Sequence, residues 1–156
     1  MKKVEIACII DDDPIYIFGT KRIMELANFC ETFMIFHNGK EALDRLTAII
    51  SLGEKLPDII LLDLNMPIMD GWEFLDEFTK VPSKKEILIY IVTSSIDPAD
   101  IERAKAYDNV NNYLVKPITM AMLKTVFKNE DAQSFNKCQN LRVILNLPKI
   151  ATVRNI

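Results

Sequence analysis

Cysteine, histidine, long apolar runs and surplus basic charge are what this 156-residue sequence lacks. Its three cysteines, Cys8, Cys30 and Cys138, are too widely and irregularly spaced for a disulfide framework or a zinc site. No apolar run approaches the roughly 20 residues that span a bilayer. Met1-Lys2-Lys3-Val4-Glu5 soon reaches an acidic residue and lacks a signal-peptide cleavage pattern, so a cytoplasmic location is expected. Basic residues number 19 against 22 acidic ones, and a pI near 5.2 argues against nucleic acid as a direct partner. What remains is the composition of one soluble globular domain, 49% apolar and 26% charged.

Two kinds of segment alternate along the chain. Val4 to Ile10, Thr32 to Phe36, Asp58 to Leu62, Ile87 to Val92 and Val110 to Val115 are short, and several are apolar at nearly every position. Such runs suit strands buried on both faces of a parallel sheet. Between them the spacing is helical, as in Ala42, Leu43, Leu46, Ile49 and Ile50. Asp97-Pro98 and Asn38-Gly39 read as helix starts, and Pro14 opens a helix running to about Phe29. Asp108-Asn109 is expected to stop a helix after Tyr107, with Asn in a left-handed backbone. Five strands alternating with five helices predict a parallel sheet covered on both faces, with the ligand site at the strands' carboxyl ends.

The residues that follow each run then become informative. They are Asp11, Asp12 and Asp13 after the first, Asp63 after the third, Thr93, Ser94 and Ser95 after the fourth, and Lys116 after the fifth. Carboxylates brought together repel unless a cation sits among them, and oxygen-only ligands favour a hard ion such as Mg²⁺. An ammonium and a small hydroxyl nearby supply donors for a phosphoryl group, and a carboxylate can itself accept phosphate. Any one of these residues alone reads as a turn former or surface charge. Asp13 and Asp97 are expected to be helix caps. His37, the single histidine, is expected to be a surface turn residue on the far side of the first strand, and Cys8 and Cys30 small buried hydrophobes.

Ile9-Ile10-Asp11-Asp12-Asp13-Pro14, Leu62-Asp63-Leu64-Asn65-Met66-Pro67-Ile68-Met69-Asp70-Gly71, Ile91-Val92-Thr93-Ser94 and Tyr113-Leu114-Val115-Lys116-Pro117 resemble the receiver domain of two-component response regulators over residues 1–128. The resemblance implies a flavodoxin-like, doubly wound α/β fold, with a five-stranded parallel sheet in the order 2-1-3-4-5 and five helices. It makes Asp63 the phosphoacceptor, assisted by Lys116 and Thr93. Mg²⁺ would be held by Asp11, Asp12, Asp63 and the main-chain carbonyl of Asn65. Which two of the three leading aspartates form the acidic pair is ambiguous from the run alone. Asp13 precedes Pro14, where a helix begins, so Asp11 and Asp12 are assigned to the metal. Thr93 and Tyr113 would form the switch, and Asn65 and Ser95 would tune the phosphoryl lifetime. The family also implies a cis Lys116–Pro117 bond. Gly71 fits a tight turn, and Trp72, Phe74, Leu75 and Phe78 are expected to be core.

The chain is thus expected to work in a phosphorelay, catalysing its own phosphorylation and slow dephosphorylation without being a dedicated enzyme. Its partners would be a histidine kinase or a histidine phosphotransfer protein and a downstream protein target. A phosphorylation-dependent homodimer is a further form of output, and neither nucleic acid nor membrane insertion is expected. The alternative is a haloacid-dehalogenase-type phosphatase with Asp11 as nucleophile and Asp13 as general acid, which leaves Met66-Pro67 to Gly71 unexplained. A receiver-like module that acts by binding alone is a third reading. Residues 129–156 carry four basic and two acidic residues, leaving 15 basic against 20 acidic on the rest. This extension is too short for a separate output domain. Its Leu141–Leu147 run is open to three forms: an extra strand, a helix continuation or an ordered tail.

Overall fold

In the computed structural model, which describes residues 4–130, 141–146 and 151–155, apolar runs and capped helices alternate along one sheet. The order is β1 (Ile6–Ile10), α1 (Pro14–Leu26), β2 (Thr32–Phe36), α2 (Gly39–Leu52), β3 (Ile59–Leu62), α3 (Gly71–Phe78), β4 (Leu88–Thr93), α4 (Pro98–Ala104), β5 (Val110–Val115) and α5 (Met120–Glu130). Two more strands follow, β6 (Arg142–Asn146) and β7 (Ala151–Asn155). The sheet order is β2-β1-β3-β4-β5-β6-β7, parallel throughout except for the antiparallel β6–β7 pair. The predicted order of the first five strands is therefore present, in a sheet two strands wider. Of the three forms open to the Leu141–Leu147 run, the strand is found over Arg142–Asn146. Among the described residues no helix is long and apolar enough to cross a membrane.

Every residue of β1 and β3 is buried, because both faces of the sheet are covered. On one face α1 and α5 pack through Ile17, Met24, Val126 and Phe127 against Ile9, Leu61 and Tyr90. On the other, α2, α3 and α4 pack Leu46, Phe74, Leu75 and Ala104 against Ile10, Leu62 and Ile91. Trp72, Phe74, Leu75 and Phe78 are all core, as expected.

Helix starts follow the sequence signals. Asp13 accepts from the Ile15 amide, Asn38 from Glu41 and Asp97 from Ala99, each at 2.9 Å. Asp70 and Glu73 exchange side-chain and amide hydrogen bonds in a capping box.

Two helix ends differ from expectation. α1 stops at Leu26 instead of running to about Phe29, because Asn28 turns left-handed at φ 57°. Its amide reaches the Glu25 carbonyl, and that of Phe29 the Met24 carbonyl, which ends the helix and delivers Phe29 against the Phe127 ring. α4 ends at Ala104, and Asn109 is not left-handed. There the last turn tightens through Ala106 to Arg103 and Tyr107 to Ala104, so no special residue is needed.

β5 carries a local irregularity. Ile89 pairs with Val110 and Tyr90 with Asn112, so Asn111 is an extra residue. It shifts the alternation and brings Val110, Tyr113 and Val115 into the α2–α3–α4 core together.

Candidate functional site

Because β1 through β5 run parallel, Asp11, Asp63, Thr93 and Lys116 all lie at one edge of the sheet. Asp11 and Asp63 are 5% and 6% exposed, so both carboxyls have lost most of their water. The Lys116 ammonium lies 2.7 Å from Asp11 Oδ2 and 3.4 Å from Asp63 Oδ2. The Asp63 Oδ1 atom accepts one long hydrogen bond, 3.5 Å, from the Asn65 amide, and Asp11 Oδ1 accepts from Asp13 at 2.9 Å. Asp12 is exposed beside them.

The local chain explains why Asp63 sits where it does. Its amide donates to the Ile10 carbonyl, continuing the β1–β3 ladder to the strand ends. The following loop returns at Gly71, whose amide donates to the Leu64 carbonyl. A Cβ on Gly71 would stand 2.4 Å from the Asp63 carbonyl oxygen, so only glycine allows this approach. The loop tip is strained. Ile68 is β-branched, 81% exposed and left-handed at φ 70°, inside a three-residue turn closed by the Met69 amide on the Pro67 carbonyl. The Gly39 amide ties this loop to α2 through the Met69 carbonyl, and a Cβ there would meet that oxygen at 2.8 Å.

These placements set the charges. Burial pushes the Asp63 carboxyl up to about 6, and the nearby Asp11 charge adds to the rise. The Lys116 charge and the Asn65 amide oppose it without cancelling it. For Lys116 burial alone would depress the ammonium, but its bond to Asp11 and the charge of Asp63 hold it above its usual value. Among the described residues one ammonium, that of Lys116, is shared by the two buried carboxylates, with the exposed Asp12 beside them, so the pocket is short of positive charge.

Asp11, Asp12 and Asp63 can each direct an oxygen into one cluster, with these atoms within 4.8 Å of one another. A set of oxygens without nitrogen or sulfur fits a hard divalent cation, and the charge deficit gives such a cation a favourable field.

The switch candidates are joined through one residue. The Thr93 hydroxyl, fully buried, accepts from the Ser95 amide at 3.3 Å. Tyr113, also fully buried, donates its hydroxyl to the Ser95 carbonyl at 2.9 Å. Burial pushes the Tyr113 phenol up to about 12, against the lowering effect of that hydrogen bond. The Ser95 hydroxyl donates to Asp100 at 2.5 Å. Lys116–Pro117 is cis, as the resemblance implied.

Other expectations can be placed. Asp13 caps α1 and is not part of the carboxylate cluster, so it does not stand where a general acid would be needed. His37 is exposed beyond β2, on the far side of β1 from Asp63. Cys8 and Cys30 are buried free thiols, each raised by burial. Cys138 lies outside the described residues.

Two residues of the site were not anticipated. Gly39 pins the acceptor loop, and the Asn38-Gly39 pair signalled only a helix start. Tyr16 in α1 places its ring under the Lys116 ammonium, 4.1 Å from Nζ to the ring centroid. No periodicity or motif marks it, because the contact joins positions 100 residues apart.

Comparison with known proteins identifies the family. The chain is 31% identical over 119 residues to the probable methanogenesis regulatory protein FilR2 of Methanothrix harundinacea, covering 76% of each. It is 36% identical over 89 residues to the chemotaxis protein CheY-3 of Vibrio cholerae, covering 57% of this chain and 68% of that one. The crystal structure of a two-component response regulator from Cytophaga hutchinsonii superposes with a TM-score of 0.75 at 30% identity, over 85% of this chain and all of the other. None of these comparisons supports a haloacid-dehalogenase-type phosphatase. The family model of the response regulator receiver domain matches residues 7–128, and the chain belongs to that family.

Proposed function

We propose that this receiver domain takes a phosphoryl group onto Asp63 from the phosphohistidine of a histidine kinase or phosphotransfer protein. The observation that carries the reading is the meeting of Asp11, Asp63 and Lys116, from three strands, in one shielded pocket. An Asp63 oxygen attacks phosphorus and an O–P bond forms. The P–N bond to the donor imidazole breaks, and the imidazole nitrogen leaves with the electron pair and takes up a proton. The attacking oxygen must be ionised, and a carboxyl with a value of about 6 is largely so at neutral pH. Lys116, protonated, offers its ammonium to the incoming phosphoryl oxygens. Mg²⁺, when bound by Asp11, Asp12, Asp63 and the Asn65 main-chain carbonyl, supplies charge neutralisation for the transferred group. The domain thus catalyses its own phosphorylation and, with water as acceptor, its slow dephosphorylation. Asn65, two residues beyond the acceptor, and Ser95, two beyond Thr93, tune that rate.

The signal passes through Ser95. Moving the Thr93 hydroxyl toward a phosphoryl oxygen gives up its bond from the Ser95 amide, while Tyr113 holds the Ser95 carbonyl. Phosphorylation therefore biases the segment leading into α4 between two arrangements. Output runs through protein contacts with a target, or through a homodimer, in the cytoplasm. Residues 1–128 form the switch, and the extension contributes β6 and β7 to its sheet.

Intact-mass analysis after acetyl phosphate and Mg²⁺ tests the reading. Wild type gains one phosphoryl group and Asp63→Asn gains none. An equal gain on both overturns the assignment.

A further inference from the structure

Lys116 is long and flexible, yet its side chain is only 6% exposed and its ammonium is fixed by three neighbours. Two of them, Asp11 and Asp63, are the carboxylates that a divalent cation and an incoming phosphoryl group would also engage. The third is the face of Tyr16, 4.1 Å from Nζ to the ring centroid. Aromatic faces attract ammonium groups through their quadrupole, and the attraction is stronger where water is excluded. The ring face is no ligand for a hard divalent cation, so this contact does not draw on the carboxylates that such a cation would engage.

Tyr16 is also fixed from its own side. Asp13 caps α1 through the Ile15 amide, Pro14 sets the first helical position, and the Ile17 amide closes on the Asp13 carbonyl. This first turn places position 16 over the sheet edge. Asp13 and Pro14 thereby acquire a task beyond starting a helix.

We propose that Tyr16 is a positioning residue for phosphoryl uptake: its ring holds the Lys116 ammonium at the pocket by a cation–π contact. The inference rests on the proposed phosphorylation of Asp63, and it concerns which residue keeps Lys116 in place during that reaction.

The test compares wild type, Tyr16→Phe, Tyr16→Leu and a series with mono-, di- and trifluorinated phenylalanine at position 16. The second-order rate constant for labelling by acetyl phosphate with Mg²⁺ is read by intact mass. Phe keeps the ring face and retains the wild-type rate. Leu lowers it by about three- to tenfold, the range expected for losing a partly shielded cation–π contact. Fluorination preserves shape while draining the ring face, so the rate falls stepwise with each fluorine. A flat fluorine series, or a Leu variant as fast as wild type, overturns the proposal. The fluorinated series keeps the test valid if the Leu variant does not fold.

Labelling that persists in Asp63→Asn is instead a failure of the phosphoacceptor assignment. In that event the contact is still judged by NMR. The Lys116 ε-methylene protons are shifted upfield by the ring in wild type and Tyr16→Phe, and move to the ordinary lysine position in Tyr16→Leu. No such difference would refute the contact itself.

Discussion

β3 has an aspartate at each end, Asp58 before Ile59 and Asp63 after Leu62, and the two sit in opposite electrostatic circumstances. At the amino edge, Asp58 Oδ2 accepts from the Glu5 and Ile6 amides at 2.8 and 3.1 Å, and Oδ1 pairs with Lys85 at 2.6 Å. Burial alone would raise this carboxyl, but the Lys85 bond and the two amides outweigh it and hold it below the usual range. At the carboxyl edge, Asp63 has one long amide bond and a lysine it shares with Asp11, and it is pushed up to about 6. Burial acts in the same direction at both places. The partner set decides the outcome. Asp58 is satisfied and staples β1 to β3, whereas Asp63 keeps unmet capacity for positive charge, as the proposed phosphoacceptor role requires.

The largest expected effect is on labelling. Asp63→Asn loses the phosphoryl gain completely while Asp58→Asn keeps it at the wild-type rate. An Asp58→Asn variant that cannot be labelled would break the division of roles between the two edges. Next comes Gly71→Ala, which forces the Asp63 main chain away from a new Cβ at 2.4 Å. A displacement of about 1 Å at the nucleophile is expected to slow labelling by roughly ten- to a hundredfold. Acetyl phosphate kinetics on this variant read that directly.

Stability should separate the two aspartates through pH. The folded-state value of Asp63 is raised, so between 3.8 and about 6 the folded protein holds more proton than the unfolded chain. Its charge therefore opposes folding above about 6 and ceases to do so in acid. In metal-free buffer, Asp63→Asn is expected to be more stable than wild type by about 1–3 kcal/mol at pH 7.5. The gain shrinks as pH falls through about 6, as urea midpoints would show. An advantage that grew in acid would contradict the sign.

Asp58 behaves the other way. Its lowered value gives stability that is present above 3.8 and is lost as pH falls through the folded value. Asp58→Asn should lose about 1–2 kcal/mol at neutral pH, and the gap to wild type should close in acid. The smallest effect is that of the cation. Mg²⁺ at roughly five times its dissociation constant should stabilise wild type by about 1 kcal/mol and Asp12→Asn by less, measured by thermal unfolding. An equal shift in both would remove Asp12 from the metal set.

Much of this was legible in the chain because it is local or repeated. Buried runs such as Ile59–Leu62, the caps at Asn38 and Asp97, and the polar residues at successive strand ends each follow from a few neighbouring residues. What was not legible depended on contacts distant in sequence or on small backbone choices. The left-handed Asn28 that delivers Phe29 to Phe127 is one example. The extra residue Asn111, which turns Tyr113 toward α4, is another. The Leu141–Leu147 run was open to several forms because a short apolar run can be strand or helix until a partner edge is available, and β7 was not anticipated.

Local patterns along the chain specify an α/β sheet with three carboxylate positions, a hydroxyl and a lysine at successive strand ends, because alternating runs and parallel connections leave little other choice. Tertiary structure decided what those groups are worth. Only folding makes Asp58 a satisfied staple and Asp63 an under-compensated carboxylate, and only folding brings Tyr16 under Lys116. Burial and partner geometry, not residue type, fix the energy of a charge.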